Sequence, residues 1–284
     1  YVEGSNYVDL NKPDPVFNVD FGFDVIMGNP PYNQGGVSKG GGVFWKKFVD
    51  KALSELNENG YLTMIHPTGW RKPAGERASA GDIWKNFRKY NLIYLNISDI
   101  KIKHFPKVDY YVLQKSTNQK DTHLENEFEG LSFNGIINLY KLSFIPNFVT
   151  QEILSIFNKL HNKEGDNFNI IYNQTFKPNK NDEKVTKGIP HTFFYSMDDK
   201  DYKIRYMEYK KDIPDYIEKN KIVLTYKRSN KPSYLYPKYY NEPIGGTNNT
   251  MYQIIEDGDN YKNMLKLFNS NLIHFILKLT QYSE

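Results

Sequence analysis

Asn29-Pro30-Pro31-Tyr32 follows directly on the apolar run Phe23-Asp24-Val25-Ile26-Met27 and Gly28. Two consecutive prolines remove two backbone donors and fix two φ angles, so the carbonyls at that corner point outward in a set geometry. A short apolar run closed by Gly and Pro is the pattern of a buried strand. In a parallel sheet the carboxyl ends of strands form the rim where ligands bind. The segment therefore offers three groups at one rim: an amide oxygen from Asn29, the rigid carbonyl of Pro30, and the face of Tyr32. Two converging acceptors suit an NH2 group, and an aromatic face beside them suits a planar ring. A planar ring with an exocyclic amino group is adenine or cytosine. That nitrogen is a weak nucleophile because its lone pair is delocalised. Acceptors that hold both its protons favour a pyramidal nitrogen with a lone pair able to attack, an effect of positioning and electrostatic preorganisation.

The elements around this corner read as alternating strands and helices. Apolar positions Phe44, Phe48, Ala52, Leu53 and Leu56 recur at helical spacing over 43–57. Asn59-Gly60 is expected to end that helix. Strands are expected at 61–65, 92–97 and 108–114, with a helix at 82–90 between the first two. Strands alternating with helices predict a parallel sheet, in which the last strand, reached through a short loop, can run antiparallel. The polar stretch from Ser116 reads as the start of a linker. A helical pattern follows at 149–161, short Tyr-rich strands at 190–255, and an amphipathic helix pair at 261–280. The predicted division is a catalytic half at 1–118, a linker at 119–147 and a second domain at 148–284.

The run Phe23 to Tyr32 resembles the catalytic motif of the N6-adenine-specific DNA methyltransferases of restriction–modification type, the enzymes that carry Asn-Pro-Pro-Tyr. The resemblance implies catalytic roles for Asn29, Pro30, Pro31 and Tyr32, with Tyr32 stacking on an adenine extruded from the duplex. Phe105-Pro106-Lys107-Val108-Asp109-Tyr110 resembles the family's later motif, which implies that Phe105 stacks on the opposite face of the base. Ile244-Gly245-Gly246-Thr247 and Leu265 to Leu272 resemble the target-recognition domains of such enzymes. The implied fold is α/β: a partial Rossmann-like methyltransferase sheet, its catalytic half, followed by a mixed α+β target-recognition domain. The implied cofactor is S-adenosylmethionine, held in the family on a glycine-rich strand-to-helix turn that precedes the Asn-Pro-Pro-Tyr strand. Only 28 residues precede Asn29, and they contain no such turn. Gly40-Gly41-Gly42 follows the motif and has no strand before it. The cofactor-binding residues are therefore expected upstream of Tyr1 or on a separate chain.

Residues 202–238 hold ten basic and four acidic side chains. Within them, Lys221, Lys227, Arg228, Lys231 and Lys238 are interleaved with tyrosines, a pattern that fits phosphate and groove contacts to double-stranded DNA. His66 ends a strand at the same rim as Asn29 and is expected to be capped or to face solvent. A restriction nuclease, fused or separate, is the further partner that the resemblance implies. Two other functions use the same residues. Protein glutamine N5-methyltransferases also use Asn-Pro-Pro-Tyr, because a side-chain amide is likewise an amino group on a planar system. A non-catalytic DNA-specificity module is the other.

The 284 residues include no Cys, which excludes disulfide scaffolds, Cys-ligated zinc and thiol nucleophiles; no metal site is expected. Aromatic residues make up 15%, enough for a packed core, and the formal net charge of +4 is too mild for a uniformly basic coat. No run approaches the length of a membrane span and no signal peptide opens the chain, so a cytoplasmic location without membrane contact is expected.

Overall fold

The structure is a computed structural model, and it describes residues 22–32, 44–72, 82–97, 107–161, 170–172, 188–193, 202–207, 214–225, 235–246, 250–256 and 260–280. The chain divides into two compact units, residues 1–162 with 282–284, and residues 163–281.

The first unit is mixed α/β. Its elements are β1 (Phe23–Gly28), α1 (Phe44–Glu55), β2 (Leu56–Pro67), a 3-10 turn at Thr68–Arg71, α2 (Asp82–Phe87), β3 (Asn91–Ile97), β4 (Val108–Gln114), β5 (Thr122–Phe128), β6 (Leu131–Ile137) and α3 (Gln151–His161). Six strands form one mixed sheet in the order β1-β2-β4-β3-β5-β6. β1 runs parallel to β2 and β3 parallel to β5, while β4 lies antiparallel between β2 and β3. The antiparallel placement expected for the last strand holds for β4; the parallel sheet expected around it is a mixed one.

Three expectations on α1 and β1 are corrected. The helix stops at Glu55, and Asn59, in the left-handed region at φ 65°, sits inside the following strand. A Cβ on Gly60 would meet the backbone oxygens of Asn57 and Asp24 at 3.0 Å, so glycine permits the close approach of β1 to β2. The buried stripe of α1 is Trp45, Val49 and Ala52, one position off the Phe44–Phe48 register, with Phe48 and Leu53 only half-buried. β1, read as a buried strand, is the outer strand of the sheet, and Val25 and Met27 are 56% and 74% exposed.

The expected linker at 119–147 is also corrected. Its residues form β5 and β6, a hairpin turned at Glu129 (φ 51°) and Gly130 (φ 83°). Consecutive positive φ values are what a two-residue hairpin turn with the right twist requires. Asn126 is polar yet buried in this hairpin, because its amide donates to the Val149 carbonyl at 3.0 Å and accepts from the Val149 amide at 3.4 Å.

One face of the sheet carries the core. Leu62, Met64, Leu92, Leu95, Tyr111, Leu113 and Leu124 pack there against Trp45 and Val49 of α1, Trp84 and Phe87 of α2, and the segment Leu139–Val149. Burying aromatic side chains of this size supplies the largest apolar contributions per residue.

The second unit contains β7 (Ile170–Tyr172), β8 (Ile189–Phe193), β9 (Lys203–Met207), a 3-10 turn at Asp215–Ile217, β10 (Lys221–Thr225), β11 (Lys238–Tyr240), β12 (Gly245–Gly246), β13 (Thr250–Ile254), α4 (Tyr261–Phe268) and α5 (Asn271–Thr280). A four-stranded sheet runs β11-β10-β13-β7 and a three-stranded one runs β12-β8-β9. The helix pair α4–α5 matches the expected 261–280, and α4 is capped by the Asn260 side chain accepting from the Asn263 amide.

Candidate functional site

β1 delivers Asn29 to the carboxyl end of the sheet. Gly28 pairs with Met64 on β2, so Asn29 and Pro30 leave the strand beside Ile65 and His66. Pro30 is buried, whereas Asn29 and Pro31 are exposed and Tyr32 is half-buried. The Tyr32 ring packs partly against the core of the first unit. A corner with its pivot proline buried and its amide exposed is anchored from below and open above. Burial lifts the Tyr32 hydroxyl above its ordinary pKa, and a hydrogen bond with the Asn29 side chain acts in the opposite sense. The side chains of Asn29 and Tyr32, both read as site residues from the sequence, thus lie within hydrogen-bond reach of each other.

The other predicted site residues separate into three groups. Phe105, Lys227, Arg228 and Lys231 lie outside the described residues, as does the Gly40–Gly42 run. Lys238 is exposed on β11, its ammonium 5.7 Å from the centre of the Tyr240 ring. Lys221 is corrected: it is fully buried in β10 and donates to the Ile217 carbonyl at 2.8 Å. Burial lowers its pKa to about 8, against an opposing pull from Glu218. An ammonium committed to an internal carbonyl is withdrawn from any phosphate.

His66 does not face solvent; of the two expected states it is the capped one, with both ring nitrogens hydrogen-bonded. It is fully buried, stacked on Trp45 at 4.1 Å between ring centres and bounded edge-on by Trp70 and Tyr111. Its Nδ1 lies 3.2 Å from the Pro67 carbonyl and must donate there, so Nε2 accepts from the Tyr111 hydroxyl at 3.1 Å. Burial lowers its pKa to about 4, only partly countered by the Pro67 hydrogen bond.

Beside it stands a group that sequence patterns do not signal. Asp109, opposite His66 in the β2–β4 register, accepts at 2.7 Å from both the Trp70 indole and Arg71 Nε. Arg71 is 1% exposed and also donates to the Ile145 and Pro146 carbonyls and to the Asn147 side chain. Burial raises the Asp109 carboxyl pKa, opposed first by Arg71. One guanidinium thus ties the turn after β2, the start of β4 and the loop at 145–147 behind the Asn29 corner. Asp109 sits within the motif at 105–110; that its partner would be Arg71 has no local signal.

Fitting S-adenosylmethionine needs a glycine cradle that opens a helix behind a strand. None of the described glycines has that position, and the described residues do not fit the cofactor. Among the described residues no group of three His, Asp or Glu side chains could hold a metal ion. No helix among them is long and apolar enough to cross a membrane.

Residues 3–101 match the family model of the Eco57I restriction-modification methylase. No curated protein matches the chain in sequence. Among solved structures the chain resembles a component of a type I R-M system whose complex assembly and conformational transition were described. That likeness has 15% identity, covers 54% of this chain and 31% of the other, and has a TM-score of 0.30. It also resembles a modification subunit assigned to a type I restriction enzyme of Vibrio vulnificus YJ016, at 14% identity over 50% of this chain and 32% of that one, with a TM-score of 0.29. The chain spans about a third of the length of those structures.

Proposed function

We propose that the chain provides the target-base rim of a restriction–modification DNA methyltransferase that acts on the exocyclic N6 of adenine. The observation that carries this reading is the corner at the end of β1, with Pro30 buried and Asn29 exposed. The match of residues 3–101 to a restriction-modification methylase family supports it. On this reading the Asn29 oxygen and the Pro30 carbonyl accept the two amino protons of an extruded adenine. Tyr32 stacks on one face of the base and Phe105 on the other. Extrusion is what an enzyme working on a base edge inside a duplex requires, and an aromatic sandwich compensates the lost stacking. Tyr32 has a second task here, since its hydroxyl orients the Asn29 amide. The nitrogen needs no general base before attack, because its proton can leave afterwards to solvent. S-adenosylmethionine supplies the methyl group and is bound outside the described residues.

The second unit, with Lys238 on its exposed edge and Lys227, Arg228 and Lys231 nearby in sequence, contacts DNA on this proposal, and other restriction–modification subunits are the protein partners. Nucleoside mass spectrometry of DNA incubated with the full-length protein and S-adenosylmethionine tests the reading. N6-methyladenine is the expected product. Methylated cytosine, or methyl transfer to glutamine of a protein substrate with none to DNA, would contradict it.

A further inference from the structure

The carboxyl rim that carries Asn29 extends across the sheet to β5. Pro67, the last residue of β2, pairs with Val108, and the Thr68 amide donates to the Lys107 carbonyl at 3.1 Å, so Lys107 stands at the rim just before β4. Ile97 at the end of β3 pairs with Asp109 on one side and with Asn126 on the other. Lys107 and Phe128 each lie two residues further toward the rim and stand level, with the end of β3 between them. The Lys107 side chain crosses that gap, and its ammonium is 6.0 Å from the centre of the Phe128 ring.

This cation has a defined seat. Its backbone is tied to Thr68, and its head rests over the negative face of an aromatic ring. The ring is itself fixed, because Phe128 stacks on the buried Phe148 at 6.4 Å between centres and 24° between planes. Asp109, the acid two residues on, takes its hydrogen bonds from Trp70 and Arg71 and its counter-charge from Arg71. Lys107 is half-buried, the state of a side chain whose stem is packed and whose charge stays at the rim.

A fixed cation on a rim that takes a base suits a phosphate. Extruding a nucleotide turns it about its own backbone, so the phosphates on either side of it come to the rim that receives the base. Phosphate contacts of this kind set register and orientation rather than sequence. β1, β2 and β4 are successive in the sheet, so the ends of β1 and β4 lie two strand spacings apart, roughly 10 Å. A nucleotide spans that scale from the edge of its base to its phosphates. We infer that Lys107 is a phosphate-binding residue whose ammonium, seated on Phe128, pairs with a backbone phosphate beside the extruded nucleotide. The inference rests on the proposed base rim and carries it from the base to the backbone. It assigns DNA contact to the first unit as well as to the basic stretch of the second.

The test is fluorescence anisotropy of the full-length protein on a labelled duplex that carries its methylation site, mapped by sequencing of the methylated product. The log–log slope of affinity on salt counts the phosphates that the protein neutralises. Lys107→Ala is expected to lower the magnitude of that slope by about 0.9, so that its affinity deficit shrinks by about threefold between about 50 and 200 mM salt. Lys107→Arg keeps the charge and should keep the slope. Lys89→Ala, at an exposed lysine beside the start of β3 at the other end of the sheet, should leave the slope unchanged. A folding defect lowers the fraction of active protein and does not move the slope. A wild-type slope in Lys107→Ala, or an equal loss of slope in Lys107→Arg, would overturn the inference while the proposed function stands. A wild-type protein that methylates no adenine has no such site, which would overturn the proposed function and this inference with it.

Discussion

Two polar groups stand side by side at one end of the same sheet, and they are opposites. The Asn29–Tyr32 corner leaves Asn29 and Pro31 exposed over a buried Pro30, with the Asn29 side chain bonded to Tyr32. The Arg71–Asp109–His66 group behind it is buried, and its nitrogens are bonded to other protein groups. Both hold residue types that catalysis uses. What separates them is exposure and the use of their hydrogen bonds: the buried group spends all but Asp109 Oδ1, which has no partner, inside the fold and positions others, whereas the exposed Asn29 can meet a ligand. A buried charge pair of this kind adds little net stability over an apolar replacement, yet breaking one half of it is severe.

The contrast can be broken most forcefully at Asp109. Asp109→Ala leaves the Arg71 guanidinium buried without its counter-charge and is expected to cost about 3–5 kcal/mol of unfolding free energy in urea titrations. The double variant Arg71→Met with Asp109→Leu should recover most of that loss. If the single variant is as stable as wild type, the group is not the positioning hub described here.

His66 sharpens the comparison through pH. Its folded pKa of about 4 lies below the unfolded value near 6.5, so the unfolded chain binds the proton more readily. The stabilising contribution is complete above pH 6.5 and is lost as pH falls toward 4. The expected loss is on the order of 3 kcal/mol across that window, read from denaturation midpoints at stepped pH. His66→Gln should remove this part of the slope. A wild-type slope unchanged by the substitution would place His66 in contact with water.

Tyr32 gives the smallest effects and separates ring from hydroxyl. Tyr32→Ala removes the stacking face and should weaken target-base binding by roughly 1–3 kcal/mol, measured as KM for DNA. Tyr32→Phe keeps the ring and loses only the hydrogen bond to Asn29. It should lower kcat by a few-fold, consistent with about 1 kcal/mol for one neutral hydrogen bond, and leave KM near wild type. Equal effects of both substitutions would show that the hydroxyl does not orient Asn29.

The corner was legible in the sequence because its chemistry is local: four consecutive residues after an apolar strand set both geometry and exposure. Most strands and helices were legible for the same reason. The hub was not, because Arg71 meets Asp109, Ile145 and Asn147 across 38 to 76 positions. The hairpin β5–β6 was missed because buried Asn126 and Thr122 give its core side a polar look, with Asn126 satisfied by the distant Val149 backbone. Lys221 looked like a phosphate contact because composition does not tell which side chains of a strand turn inward. The mixed pairing of the sheet arises from insertion of β4 between β2 and β3, a non-local choice that alternating elements do not specify.

The central claim is that the Asn29 amide holds the reacting amino group. Asn29→Ala in the full-length protein tests it most directly, with N6-methyladenine formation followed alongside thermal unfolding. Methylation is expected to fall by about a hundredfold or more, the cost of removing one preorganised hydrogen-bonding group, at a melting temperature close to wild type, because Asn29 is exposed. Methylation at the wild-type rate by a folded Asn29→Ala protein would contradict it.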